Sequence, residues 1–302
     1  MNVVRRALTV SGLLAVLAAG GCTAAAEDAG TTASGLDLTG AVTVDGSLRA
    51  KLPPAVRNRG FIRLVTDASY APMEYFAADG RTIIGFEPDL SAALGGVLGI
   101  RVETVAGDFA TAIDEVDKGT YDGVFSSMTD TAEREKKADF VDYFSTGTSI
   151  LVQRGNPDHI RNLADLCGRT IAVETGTFQE DMLRRRQKGC AGEPMTIDVR
   201  KTNADALVRL RTGRAVAVLN DFPPASYLVS QVKTNLYYEL ASDMQYEPGL
   251  FGIAVSKDNS ALRDALQGAL ARLIRTGTYG ELLQRWNLGS GAVTEATVNG
   301  GN

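Results

Sequence analysis

Gly123-Val124-Phe125-Ser126-Ser127-Met128-Thr129-Asp130-Thr131-Ala132-Glu133-Arg134 carries an apolar strand end into small hydroxyl residues, a helix-cap pattern and an arginine. Asp130 and Glu133 stand three apart, the capping-box spacing, which predicts a helix from about Thr131 with Arg134 in its first turn. An arginine fork there can grip a carboxylate with two N–H groups, and Ser127 and Thr129 place hydroxyl and backbone donors beside it. Taken alone, the stretch also fits an ordinary strand-to-helix turn with a solvated arginine. The neighbouring segments decide between the two.

Upstream, residues 61–66 are rich in branched side chains and alternate as a strand does, stopping at Asp67-Ala68-Ser69-Tyr70-Ala71-Pro72. After a polar hairpin at 78–81, a strand over 83–86 is followed by a helix capped at Asp89 with Leu90, Leu94, Val97 and Leu98 on one face. A strand over 102–105 and a helix marked by Phe109, Ile113 and Val116, closed by Gly119, lead into Val124-Phe125. Strand, helix, strand, helix, strand calls for a parallel sheet covered by helices and joined by right-handed crossovers. Asp67–Pro72 and Ser126–Asp130 then both follow strand C-terminal ends, where open α/β sheets place their ligands.

Downstream the pattern repeats. Residues 149–153 read as a crossover into a second unit, whose first strand ends in Glu174-Thr175-Gly176-Thr177-Phe178-Gln179-Glu180. Thr177 and Glu180 again have capping-box spacing, so a helix N-terminus points its amides above the sheet and favours an anionic group there. Strand 197–200, helix 204–211 and strand 215–219 follow, the last delivering Asn220-Asp221. Residues 251–255 read as the strand that crosses back, covered by amphipathic helices over 258–275 and 279–286, with Trp286 as core packing.

The 302 residues suffice for two modest cores, and the formal charge of −5 without a polybasic run argues against nucleic acid or an anionic membrane surface as partner. Residues 1–22 read as a secretory signal: Arg5 and Arg6, an apolar run from Ala7 to Ala19, then Gly20-Gly21-Cys22. Cys22 resembles a lipobox cysteine, although Ala19 stands where a branched residue is common; a removed signal and a free secreted chain is the alternative. Twin-arginine export is disfavoured by Ala7 and Leu8. Residues 23–54 have the composition of a flexible tether, and 290–302 that of a flexible tail. In an exported chain, Cys167 and Cys190 form an even pair that predicts a disulfide, worth roughly 3 kcal/mol, with two buried thiols as the alternative. His159 is the single histidine and sits after a Gly155-Asn156-Pro157 turn, so no metal site or other cofactor is expected.

Thr66-Asp67-Ala68-Ser69-Tyr70-Ala71-Pro72-Met73-Glu74-Tyr75, Gly85-Phe86-Glu87-Pro88-Asp89-Leu90, the 126–134 run, Gly176-Thr177, Asn220-Asp221 and Thr278-Tyr279-Gly280 together resemble one family. It is that of the bacterial extracellular solute-binding proteins of the polar amino-acid class, receptors of ABC importers. The resemblance spans residues 59–288 and implies a two-lobed, type II periplasmic-binding-protein-like α/β fold. Each lobe would be a mainly parallel sheet with flanking helices: 55–148 plus 246–289 as lobe I and 149–245 as lobe II, joined by two hinge crossovers. It also implies a monomer that binds a free amino acid and docks on an ABC permease in the membrane.

By the same resemblance, Arg134 takes the ligand carboxylate with Thr129 and the Thr177-Phe178 turn. Asp221 takes the α-ammonium with Ser126 and Ser127 nearby, Tyr70 and Phe109 sandwich the side chain, and Asp67 meets its distal end. Two positions depart from the family's commoner pattern: Phe178 replaces a small or hydroxyl residue, and Asp130 an apolar one. An acid between two rings would repel acidic ligands and attract a cation, which ranks arginine, lysine or ornithine first and histidine or glutamine next. Asp67 also fits a turn acid bonding its own loop. Two other readings stand beside this one: an exported enzyme of the cyclohexadienyl dehydratase type, with Glu74 or Glu174 as its acid, and a sensor subunit presenting ligand to a receptor.

Overall fold

The structure is a computed structural model and describes residues 33–38 and 40–301. The predicted signal, Cys22 and residues 23–32 lie outside the described residues. The strands, in chain order, are β1 (Phe61–Thr66), β2 (Ser69–Tyr70), β3 (Glu74–Phe76), β4 (Ile83–Ile84), β5 (Arg101–Ala106), β6 (Gly123–Val124), β7 (Ala138–Gln153), β8 (Thr170–Glu174), β9 (Thr196–Arg200), β10 (Ala217–Asp221), β11 (Tyr238–Leu240) and β12 (Tyr246–Ser256). The helices are α1 (Gly46–Lys51), α2 (Pro54–Arg59), α3 (Phe86–Leu98), α4 (Ala112–Asp117), α5 (Phe178–Arg186), α6 (Asn203–Arg211), α7 (Phe222–Ser230), α8 (Ser260–Thr276) and α9 (Thr278–Arg285).

One sheet runs through both lobes in the order β5-β1-β6-β12-β7-β10-β8-β9, with β11 beside β7. At one end β5, β1 and β6 are parallel, and at the other β10, β8 and β9 are parallel. Between them β7 and β12 run antiparallel and tie the two lobes together. The expected crossover at 149–153 is therefore the second half of one long strand. From Ala138 to Thr146, β7 pairs with β12, and from Thr148 to Val152 it pairs with β10. The register of β7 and β12 slips between Tyr246 and Gly249, where the chain passes from lobe to lobe.

Each lobe has its own core. In lobe I, Phe86 from α3 and Tyr279 from α9 close on Tyr143, Phe144 and Phe251 of the hinge strands, with the Phe125 and Tyr143 rings 4.7 Å apart. α8 buries Leu262, Ala265, Leu266, Ala269, Leu270 and Leu273, the three- and four-residue spacing of a single apolar face. Asn259 caps its start and Gly277, at φ 88°, ends it. In lobe II, Ile171, Val173 and Leu219 of the sheet meet Met182 and Leu183 of α5. The Cys167–Cys190 disulfide is formed, its Cα atoms 5.6 Å apart, and it spans β8 and α5.

Several expectations need correction. Within the predicted tether, the segment from Leu36 onward packs on lobe I: Leu38, Leu48, Leu52 and Val56 are buried among the residues of α3 and α8. Asp45 caps α1 by accepting from Ser47 and Leu48, and it pairs with Arg272 at 2.6 Å. The predicted tail is a strap. Val293, Ala296 and Val298 lie against the core, Val298 bridges Val141, and the Gly300 and Gly301 amides donate to Asp142 and Asp130. Ile83–Ile84 joins a small separate sheet with β2 and β3, and α3 begins at Phe86 after Gly85. Asp89 does not cap that helix; it is buried and accepts from Trp286 Nε1 at 2.9 Å, holding α9 against α3. The helix expected at Thr131 is a single 3₁₀ turn, Arg134–Lys136.

Candidate functional site

The ends of β1 and β6 in lobe I face those of β8 and β10 in lobe II across a narrow cavity. Its wall takes Asp67, Tyr70 and Phe109 from the loops after β1 and β5, and Ser126, Ser127 and Thr129 from the loop after β6. Lobe II contributes Thr177, Phe178 and Asp221. Arg134 stands just behind this wall. Its guanidinium donates through Nη1 to the Thr129 carbonyl at 2.7 Å and through Nη2 across the cleft to the Gly176 carbonyl at 2.9 Å. It lies 5.6 Å from the Phe109 ring centre. Burial pulls its pKa down to about 10, against the attraction of Asp181, Asp221 and Asp130, so it stays charged at neutral pH.

The lobes are closed on one another. Tyr70 from lobe I donates to Asp221 Oδ2 at 2.7 Å and accepts from the Asp221 amide at 3.0 Å. Gln179 donates to the other carboxylate oxygen at 2.8 Å. Burial pushes Asp221 up to about 7, opposed by these donors and by Arg134. Gly176, at φ 74°, approaches Ala110 of lobe I so closely that an added Cβ would lie 3.0 Å from it. A side chain there would hold the lobes apart.

The loop after β6 is rigid for a reason invisible in its own residues. Ser127 has φ 44°, a left-handed conformation that serine rarely adopts. It is held there by Glu87, whose Oε1 accepts from the Ser127 amide at 2.9 Å and from its hydroxyl at 2.8 Å. Tyr143 donates to the same oxygen. Ser126 accepts from the Asp67 amide at 2.9 Å and donates to Glu74 at 3.1 Å. Burial and the facing Glu87 push Glu74 well above the usual carboxyl range, and burial raises Glu87 as well. The hydroxyl hydrogens of Ser126 and Ser127 are thus committed to the scaffold, while both side chains line the cavity.

Asp130 likewise does not act as a cap. Its amide donates to the Leu250 carbonyl at 2.8 Å and its Oδ2 accepts from Gly301 at 2.9 Å, which fixes the arginine loop to β12 and to the strap. Thr177 does cap α5, accepting from the Glu180 amide at 3.2 Å, while Glu180 reaches back to the Gly176 amide at 2.8 Å. Phe178 fills part of the lobe II wall, its ring 5.4 Å from Arg185. Four further residues line the cavity without having been assigned to a ligand: Ser69, Glu74, Glu174 and Gln179. Glu174 ends a strand, which was the available signal. Gln179 has only its place in the first turn after a predicted cap.

A family model described as bacterial extracellular solute-binding proteins, family 3, matches residues 62–289. The chain belongs to this family. It is 32% identical over 258 residues to the arginine-binding protein ArgT of Corynebacterium glutamicum, covering 83% of this chain and 82% of that one. It is 29% identical over 234 residues to the L-cystine-binding protein TcyJ of Escherichia coli K12, covering 76% and 84%. Among solved structures, an ancestral arginine-binding protein bound to arginine matches with a TM-score of 0.70 and 31% identity over 76% of this chain and 98% of that one. The two-lobed type II binding-protein fold and a solute-binding role in ABC-type amino-acid import follow, and an enzyme reading is not favoured. The family name also carries export to the cell exterior.

Proposed function

We propose that this solute-binding protein captures a basic amino acid, arginine foremost, and hands it to an ABC permease, tethered to the membrane through a lipid on Cys22. The observation that carries the reading is one acid, Asp221, in the cavity wall of lobe II and one cation, Arg134 of lobe I, held just behind the wall at Thr129 and Gly176. An α-amino acid is a carboxylate and an ammonium at fixed spacing, so such a pair grips it only when both lobes are in place. Arg134 has five N–H groups and two are engaged with carbonyls, which leaves donors for a ligand carboxylate beside Thr129 and the Phe178 amide. Asp221 receives the ammonium, the rings of Tyr70 and Phe109 flank the side chain, and Asp67 faces its distal end. Ligand bound to both lobes favours the closed form, the one suited to docking on the permease.

A thermal-shift screen of residues 23–302 against the amino acids, polyamines and several sugars tests this. A ligand that binds the native state alone raises the melting temperature as its concentration exceeds Kd. Shifts with arginine, lysine or ornithine are expected, and larger shifts with a sugar, or none with any amino acid, would overturn the reading.

A further inference from the structure

At the distal end of the cavity, two acids meet from opposite lobes. Asp67 follows β1, and Glu174 is the last residue of β8. Both line the cavity, one from each lobe, so two carboxyl groups face the same end of the cleft. Glu174 is 8% exposed and leaves its Oε1 buried with no hydrogen-bond partner. A buried acceptor without a donor is the exception in a folded protein, and one aimed into a ligand cavity marks a place for a donor from the ligand.

Arg200, in register with Glu174 on β9, pairs with Asp198. Asp108 faces it from the loop after β5 and is itself 3.5 Å from Lys201. Tyr70 faces it from the loop after β1, and Glu74 stands near Asp67. Arg134 interacts with Asp181, Asp221 and Asp130 at the other end of the cavity. Among the described residues, neither Asp67 nor Glu174 has an arginine or lysine within ion-pair distance. The cavity is therefore charge-balanced at its Arg134 end and acid-rich at its distal end.

We propose that Glu174 determines specificity: with Asp67 it clasps the terminal cation of the ligand, a guanidinium or ammonium, and the proton that Glu174 holds passes to solvent as the cation enters. This rests on the amino-acid reading above. The exchange balances: one O–H bond breaks, one proton leaves for the buffer, and the ligand's positive charge replaces it beside the new carboxylate. A guanidinium presents a planar fork of donors that can reach both acids, Oε1 of Glu174 included. A neutral amide ligand needs no proton to leave and gains less. Burial and the facing Asp67 push Glu174 up to about 9, so at neutral pH it holds the proton that the cation must displace.

Isothermal titration calorimetry of arginine and glutamine tests this, from pH 6 to pH 8 and in buffers of different ionisation enthalpy, with wild type, Glu174→Gln and Arg134→Ala. Wild type is expected to release about one proton per arginine and to gain about tenfold in affinity per pH unit. Glu174→Gln is expected to release none through this site, so the two affinity curves converge at pH 6 and diverge upward. The ligand's own titration is common to both proteins and cancels in the comparison. Glutamine is expected to show no such divergence. Parallel arginine curves with equal proton release would overturn the role of Glu174 while leaving the amino-acid reading in place. Unchanged arginine binding by Arg134→Ala would instead overturn the reading itself, and the proposal with it.

Discussion

Tyr70→Phe keeps the ring in the cavity and removes only the hydroxyl that joins the lobes. Two hydrogen bonds disappear from the closed form: Tyr70 to Asp221 Oδ2 at 2.7 Å, and the Asp221 amide to Tyr70 at 3.0 Å. The first involves a buried carboxyl, worth about 1.5–3 kcal/mol when ionised, and the second is an ordinary bond worth about 1 kcal/mol. Water compensates both groups when the cleft is open, so the net loss to the closed form is about 2–3 kcal/mol. Affinity is reduced by whatever fraction of the competent closed form is lost, which gives a fall of roughly thirty- to 150-fold. Because the loss lies in closure, it applies equally to arginine, lysine and glutamine. Calorimetric titration of the three ligands measures the fall, and small-angle scattering under saturating ligand checks that the variant still closes. A weakening confined to one ligand would mean that the hydroxyl acts on the ligand side chain, and unchanged affinity for all three would refute the closure argument.

Two further outcomes follow from the scaffold. Replacing Cys167 and Cys190 together by serine frees a loop with a sequence separation of 23 and should destabilise lobe II by roughly 3 kcal/mol, read as an earlier urea midpoint; an unmoved midpoint would show that the bond adds nothing. Asp130 is pushed up to about 7 by burial and by Asp142, so the folded chain holds a proton there that the unfolded chain loses near pH 4. Stability from this group is present below pH 4 and falls as the pH rises to about 7. Asp130→Asn should remove that fall, gaining about 1–2 kcal/mol at pH 8 after solvent screening and little at pH 4. Equal gains at both pH values would refute it.

What was legible in the sequence was local. The strand end at Thr66 and the helix-closing glycine at 119 follow from patterns spanning a few residues. What was missed depends on partners far along the chain. Asp130 reads as a cap because Glu133 is three residues away, yet its carboxylate meets the amide of Gly301, 171 residues on. Ser127 reads as a ligand donor, but Glu87, forty residues earlier, claims both its hydroxyl and its amide. Residues 36–54 read as a tether because Leu38, Leu48 and Leu52 are sparse among small polar residues, and their burying surface belongs to α3 and α8. Sparse apolar residues carry no period, so only the folded lobe shows that they have somewhere to go.

The same distance effect bears on how the cleft selects its ligand. Lobe I presents the rigid half: Ser127 is locked by Glu87, Asp67 by Ser126, and the arginine loop by Leu250 and Gly301. Lobe II brings Asp221, Glu174 and the Gly176 carbonyl to that fixed surface. The closed lobes join Arg134 to Gly176 and Tyr70 to Asp221, both favourable, but also set Glu174 facing Asp67, which with burial pushes the Glu174 carboxyl up. The unfavourable contact thus lies where a basic ligand would put its terminal charge. A ligand that ends in a cation relieves it, whereas one that ends in a carboxylate worsens it. Selectivity on this account comes as much from what the closed lobes cannot hold alone as from what the ligand adds.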